Sequence, residues 1–178
     1  MIFRYFVLSV LFICTFVNAS VLDEFIDSSY EQDLAVKWVR KSTNETITDK
    51  DALKIVKEAY ANAYSKQINP LLVLAIIRNE SNFRANAKSK DGSRGLMQVI
   101  PRWHKDKLAG RDALNVTTSI DVGTQILKNC MVKSKGVVFK ALSCYSGGGG
   151  KPYYDKVMKF QYALNQSLKQ QDILVSKN

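Results

Sequence analysis

The sequence is poor in the residues that build metal and redox centres. Histidine occurs once, cysteine occurs three times, and no Cys-x-x-Cys pair is present. Because a metal site needs several such ligands at suitable spacing, a chain whose only histidine is His104 predicts neither a metal centre nor a bound cofactor. Proline occurs only three times, and repeats, proline-rich linkers and low-complexity blocks are absent apart from four glycines at 147–150. The length of 178 residues therefore predicts one domain with one core.

Strand patterns are also scarce, since few segments alternate apolar and polar residues, so the sequence predicts an all-α fold. Thr48 followed by Asp51 resembles a capping box that opens a helix. Asn69 before Pro70 predicts the start of a second helix, whose run Leu71 to Ile77 is apolar on nearly every side and should be buried. Further helices are predicted over 119–135, over 137–145 and from Pro152 onward, with a surface loop over 88–95.

The first twenty residues resemble a secretory signal rather than part of the fold. They contain an early cation at Arg4, an apolar stretch from Tyr5 to Val17, and Val-Asn-Ala before Ser20. We expect cleavage after Ala19, since the run is shorter than the about 20 apolar residues of a membrane anchor. No later segment is apolar enough for a span. The predicted organisation is a signal peptide over 1–19, a helical extension over 20–45, one domain over 46–170 and a tail over 171–178.

Export changes how the cysteines are interpreted. Cys130 and Cys144 remain after signal removal, in a compartment expected to be oxidising. If Gly136 ends one helix and the next runs back antiparallel, the two cysteines lie at similar heights. A disulfide closing a loop of roughly 15 residues would stabilise the fold by about 3 kcal/mol. Two buried free thiols are the alternative interpretation.

Positive charge is in excess, with a formal net charge of +10, but the lysines are scattered along the chain. Such a surface attracts polyanions, including nucleic acid, anionic lipid and an anionic cell wall. Export favours the wall. Nucleic acid is not expected as a partner, because the sequence lacks a zinc finger, a basic helix with heptads and an RNA-binding aromatic signature.

Glu80 stands where the apolar run of the predicted buried helix ends. A carboxylate at a helix C-terminus is disfavoured by the helix dipole, and the apolar neighbours Ile77 and Phe83 would remove water from it. Both effects raise the pKa of a carboxyl group toward the range of a general acid. A single glutamate at a helix end can also simply face solvent, so this position alone does not establish catalysis.

Three segments together resemble one known family. They are "NES" at 79–81, "GLMQVIP" at 95–101 and "ALSCYSGGGG" at 141–150. In this order and at these separations they resemble the motifs of the lytic transglycosylase family, whose domain is similar to those of soluble lytic transglycosylases and goose-type lysozymes. The resemblance covers about residues 68–164 and implies a single lysozyme-like, mainly helical domain.

The resemblance implies a site built around Glu80 as the single catalytic acid/base. It also implies a set of substrate-binding residues: Ser81, Met97, Gln98, Tyr145 and Ser146. Tyr145 would place its hydroxyl near Glu80, and Gln98 would hydrogen-bond the glycan. Ser146 stands where the family commonly has asparagine, which puts that contact in question.

The implied reaction cleaves peptidoglycan between N-acetylmuramic acid and N-acetylglucosamine, leaves a 1,6-anhydromuramoyl end, and needs no metal or cofactor. Two alternatives stay open: a goose-type lysozyme-like hydrolase, for which Asp91 is the best second carboxylate, and a non-catalytic peptidoglycan-binding component of an envelope apparatus. Asn79-Glu80-Ser81 matches the Asn-x-Ser signal for glycosylation in eukaryotic secretion, and a glycan there would block the site. We therefore expect a bacterial periplasm, or secretion from it, rather than a eukaryotic secretory route. Wall turnover, a secretion or conjugation complex, and phage lysis all fit this chemistry.

Overall fold

The structure, a computed structural model, describes the backbone of residues 19–175 and the side chains of residues 29–170. Residues 1–18 of the predicted signal peptide and the side chains of the predicted tail therefore lie outside the described residues. Within the described part, the chain is mainly helical and contains no strand, only two isolated β-bridges in the 88–99 loop. This confirms the predicted all-α, lysozyme-like class.

Seven α-helices and one short 3-10 helix make up the described fold. They are α1 (Ala19–Ser42), α2 (Asp49–Ser65), α3 (Pro70–Ser81), a 3-10 turn (Pro101–Trp103), α4 (Lys105–Leu108), α5 (Val116–Lys133), α6 (Val138–Tyr145) and α7 (Gly150–Val175). The central α3 packs against α7 and α2, α5 packs against α2 and α6, and α1 packs across α2 and α7. None of the described helices is long and apolar enough to cross a membrane.

Side-chain caps start the helices largely where the sequence predicted. The Thr48 hydroxyl accepts a hydrogen bond from the Asp51 amide at 3.1 Å, which opens α2. The Asn69 side chain accepts from two amides in the first turn of α3, which has Pro70 as its first residue. Asn115 caps α5 in the same way, so this helix begins three residues earlier than predicted.

The last helix begins at Gly150, two residues before the predicted start. Proline is tolerated in the first turn of a helix, where its missing amide would lack a partner in any case. Pro152 therefore sits inside the first turn of α7 without interrupting it.

The α5–α6 hairpin brings the two cysteines together. Gly136, with a φ of 79°, lies in the turn between the helices, a conformation that glycine adopts without strain. Cys130 and Cys144 form a disulfide, with their Cα atoms 5.7 Å apart. The predicted cross-link is confirmed, and the interpretation as free thiols was wrong.

Candidate active site

Glu80 lies in the last turn of α3, as predicted. The helix ends because Asn82 takes a left-handed conformation with a φ of 52° while its amide still donates to the carbonyl of Arg78. The Arg78 guanidinium fixes this end, since it donates to the Ser42 carbonyl at 3.0 Å and lies over the ring of Phe160. The end of α3 is thus tied to both α1 and α7.

The Glu80 carboxylate is half-buried and held by two neighbouring side chains. The Tyr153 hydroxyl donates to Glu80 Oε1 at 2.5 Å, and the Asn79 side chain also forms a hydrogen bond with the carboxylate. Burial raises the pKa of Glu80 above its ordinary value, and the charge of Asp91 adds to this, while the two hydrogen bonds act in the opposite direction. The net shift is upward, so a larger fraction of this carboxyl group stays protonated near neutral pH.

Glu80 faces a cleft of about 700 Å³ that runs between the end of α3, the 97–104 segment, the α5–α6 hairpin and the start of α7. The residues of the cleft that bear on the chemistry include Asn79, Glu80, Gln98, Tyr145, Ser146 and Tyr153. Five of the six residues predicted for the site therefore line one cleft, namely Glu80, Met97, Gln98, Tyr145 and Ser146, and Ser81 does not line it.

Tyr145 and Tyr153 divide the roles that the sequence assigned to one tyrosine. The Tyr145 hydroxyl donates to the main-chain carbonyl of Met97 at 2.7 Å, and its pKa is raised by burial and by the nearby Glu80 charge. The hydroxyl that bonds Glu80 belongs to Tyr153, in the first turn of α7. Tyr153 lies beyond the last of the three motif segments, 141–150, so the family resemblance implied no role for it.

Met97 supports the cleft wall from within the core. Its side chain is about 1% exposed, and its amide donates to the buried Ser119 hydroxyl at 3.1 Å. It packs so closely on α5 that a Cβ added at Gly123 would lie 2.5 Å from Met97 Cβ and 2.6 Å from Met97 Sδ. A glycine at 123 therefore lets this methionine sit against the helix.

Gln98 ends a tight turn over residues 95–98 and has a φ of 48°. Its side-chain amide donates to the Gly95 carbonyl at 3.0 Å and to the Ala87 carbonyl at 3.4 Å. A Cβ at Gly95 would lie 2.0 Å from the Ala113 carbonyl oxygen. The conformation of Gln98 at the cleft is thus fixed by the turn that carries it.

The two predicted serines have different surroundings. Ser81 is about 1% exposed and donates to the Ile77 carbonyl one turn back in α3, so its hydrogen bond is internal to the helix. Ser146 lines the cleft, where its hydroxyl donates to the Ser143 carbonyl at 3.3 Å and accepts from the Gly149 amide at 2.9 Å. Gly149 lies close enough to Ser146 that an added Cβ would be 2.7 Å from the Ser146 hydroxyl.

Asp91 lines the same cleft as Glu80 but in a different environment. It is fully exposed, and hydrogen bonds from Ser89 and Ser93 lower its pKa below the ordinary value. The cleft therefore contains two carboxyl groups, one held toward the protonated form and one held ionised.

The 58–164 segment, which contains this whole constellation, matches the family model of the transglycosylase SLT domain. The match covers more than half of the chain. The chain belongs to the transglycosylase SLT family.

Membership in the transglycosylase SLT family supports a peptidoglycan-acting function of the lytic transglycosylase type. The matched segment begins in α2 and ends in α7, so it includes α3 with Glu80, the 95–98 turn, the disulfide hairpin and Tyr153. It lies within the predicted 46–170 domain. The boundaries of that domain and of the 20–45 extension remain predictions.

Proposed function

We propose that the protein is a lytic transglycosylase that cleaves the β-1,4 bond between N-acetylmuramic acid and N-acetylglucosamine, with Glu80 as its single acid/base. The observation that carries this proposal is the environment of Glu80: a carboxyl group with a raised pKa, at a cleft, bonded by a tyrosine hydroxyl. A general acid needs a pKa near the working pH, and burial supplies that shift here.

The reaction proceeds in two steps that need only this carboxyl group. Protonated Glu80 donates its proton to the glycosidic oxygen as the bond from that oxygen to the anomeric carbon breaks, while the acetamido group of the sugar stabilises the positive charge. The 6-hydroxyl oxygen of the muramoyl residue then bonds to the anomeric carbon and its proton passes to the Glu80 carboxylate. No water is consumed, and the product carries a 1,6-anhydro end.

Tyr153 fits the second step. Its hydroxyl donates to Oε1, so it stabilises Glu80 in the ionised form that must accept the proton. Tyr145 and Gln98 act on the other side of the cleft. Tyr145 donates to the Met97 carbonyl, and Gln98, whose side-chain nitrogen already donates to the Gly95 and Ala87 carbonyls, presents its side-chain oxygen to the glycan as a hydrogen-bond acceptor.

A hydrolase of the goose-type lysozyme kind is the second candidate, and Asp91 is the observation that favours it. Glycosidases that use water need a second carboxylate as base or nucleophile. Asp91 has a lowered pKa and lines the same cleft, and its charge helps to raise the pKa of Glu80. Its oxygens are already engaged by the hydroxyls of Ser89 and Ser93 in a loop, an arrangement that also suits a turn residue.

Mass spectrometry of the fragments released from peptidoglycan sacculi separates these functions. We expect the mature protein to release fragments with anhydro ends, and the Glu80→Gln variant to release none. Reducing ends that disappear in Asp91→Asn would instead establish the hydrolase. Binding to sacculi with no release by the unaltered protein would point to a wall-binding component.

We place this activity in the periplasm or outside the cell, after cleavage of the predicted signal. Peptidoglycan strands are the proposed substrate, and a secretion or conjugation apparatus of the envelope is a proposed partner. Export of a fusion of residues 1–24 to a reporter enzyme that is active only outside the cytoplasm would test the signal, and cleavage after Ala19 is the expected result.

A further inference from the structure

A second depression, of about 640 Å³, opens beside the catalytic cleft, and we call it the basic pocket. Its charged residues are Arg94, Arg102, Lys105, Arg111 and Asp91. Its apolar residues include Ile100, Pro101 and Leu108. The pocket thus combines four cations and one carboxylate with an apolar floor.

The two depressions share a wall. Asp91 and Ile100, which precede and follow the 94–99 segment along the chain, line both depressions. Arg102 lines the basic pocket and lies with its guanidinium carbon 4.9 Å from the ring centre of Trp103, which lines the catalytic cleft and is 63% exposed. A ligand held in the catalytic cleft can therefore extend a substituent into the basic pocket without leaving the surface.

Three of the four cations have no acidic partner. Among the residues the structure describes, no ion pair involves Arg94, Arg102 or Lys105, and all three side chains are exposed. Arg111 differs, because it pairs with Asp121 at 2.9 Å. Three unpaired cations around one pocket favour a ligand that carries negative charge.

Hydrogen bonds within the protein hold the walls of the pocket in place. The amide of Arg94 donates to the Val99 carbonyl and the amide of Val99 donates back, both at 2.9 Å. The Arg111 guanidinium also donates to the main-chain carbonyls of Leu108 and Lys107. The positions from which Arg94 and Arg111 project are therefore fixed by the fold.

We propose that the basic pocket binds the carboxylates of the short peptide that the muramoyl sugar carries on its lactyl group. This rests on the proposed function, since it takes the peptidoglycan strand as the ligand of the adjoining cleft. The peptide is the one part of that strand that carries several free carboxylates, and its alanine methyl groups match the apolar floor. The peptide would thereby orient the strand and make the enzyme prefer strands that still bear their peptides.

The test compares two soluble, uncross-linked glycan strands of equal length, one bearing its peptides and one stripped by an amidase. The variant replaces the three unpaired cations together: Arg94→Gln, Arg102→Gln and Lys105→Gln. A matched control removes three exposed cations from α2, which line neither depression: Lys50→Gln, Lys54→Gln and Lys57→Gln. Glutamine and lysine have similar helix propensities, so the control should fold normally.

Binding is measured by calorimetry in the Glu80→Gln background, so that no strand is consumed. We expect peptide-bearing strands to bind more tightly than stripped ones, and the pocket variant to reduce that preference by roughly tenfold, which corresponds to about 1.4 kcal/mol. The α2 control should retain the full preference. The same ratio should appear in kcat/KM with active protein, through KM more than kcat.

The outcomes separate this proposal from the proposed function. Equal binding of both strands, or a preference that the pocket variant retains, would overturn the role of the basic pocket even if anhydro ends are formed. A preference that depends on the pocket cations in a protein that forms no anhydro ends would support the pocket and refute the transglycosylase reaction.

Discussion

Removal of the disulfide between Cys130 and Cys144 should destabilise the protein by an amount that the chain connectivity sets. The two cysteines are 14 positions apart, so the bond closes a loop of 15 residues. Loss of a cross-link across such a loop costs about 3 kcal/mol in the chain-entropy description. For a domain of this size, 1 kcal/mol shifts the melting temperature by roughly 2 to 4 °C, so we expect a decrease of about 6 to 12 °C.

The assay is thermal unfolding of the mature protein, followed by circular dichroism, with and without dithiothreitol. Cys144 is exposed, so the reductant reaches the bond in the folded state. The Cys130→Ala and Cys144→Ala double variant should melt near the reduced protein and should not respond to the reductant. Alanine suits the 130 position because the cysteine there is buried. Equal melting temperatures for oxidised, reduced and double-variant proteins would refute the reasoning.

Three further predictions concern the cleft that contains Glu80. Tyr153→Phe removes a hydrogen bond that lowers the pKa of Glu80, so the alkaline limb of the kcat/KM profile, which reports loss of the acid, should move to higher pH; an unchanged limb would contradict this. Glu80→Gln should be more stable than the unaltered protein at pH 8 and equally stable in acid, measured by urea unfolding. The native carboxyl binds its proton more tightly than the unfolded one, so ionisation at rising pH destabilises only the unaltered protein. Gly123→Ala places a Cβ 2.5 Å from Met97 Cβ. This overlap should lower the free energy of unfolding in urea by about 1 to 3 kcal/mol, reduced by the better helix propensity of alanine. A net gain in stability would show that Met97 can move away.

Features that depend on neighbouring residues, such as the start of α3 and its burial, could be predicted from the sequence. Asn69 and Pro70 mark the start of α3, and the apolar run that follows them is buried along its whole length, as expected for a central helix. The disulfide was predicted as one of two interpretations, because hairpin geometry makes the pairing feasible without requiring it. The starts of α5 and α7 lie three and two residues before the predicted ones, because Asn115 caps α5 and because Pro152 lies inside the first turn of α7 rather than at its start.

The contacts between distant helices that form the site could not be predicted from local sequence patterns. Tyr153, Val157, Phe160 and Leu164 follow helical spacing along one face of α7, so the sequence indicates that Tyr153 faces the interior. It does not indicate that α7 crosses the end of α3 and brings this hydroxyl to Glu80. The basic pocket is similar, because its cations come from a loop, a 3-10 turn and α4, and no spacing in the sequence brings them together.

The two walls of the cleft that contains Glu80 are supported mainly by different helices, although α6 of the disulfide hairpin also packs against α7. Glu80 and Tyr153 belong to α3 and α7, which pack against each other. The 95–98 turn depends instead on the disulfide hairpin, through the bond from Tyr145 to the Met97 carbonyl and the close packing on α5. Reduction of the disulfide should lower kcat/KM by loosening the wall that we propose contacts the glycan. The alkaline limb should stay at the pH of the oxidised protein, because the α3–α7 contact that holds Glu80 and Tyr153 does not involve the disulfide. A limb that moves on reduction would mean that the hairpin also sets the environment of Glu80.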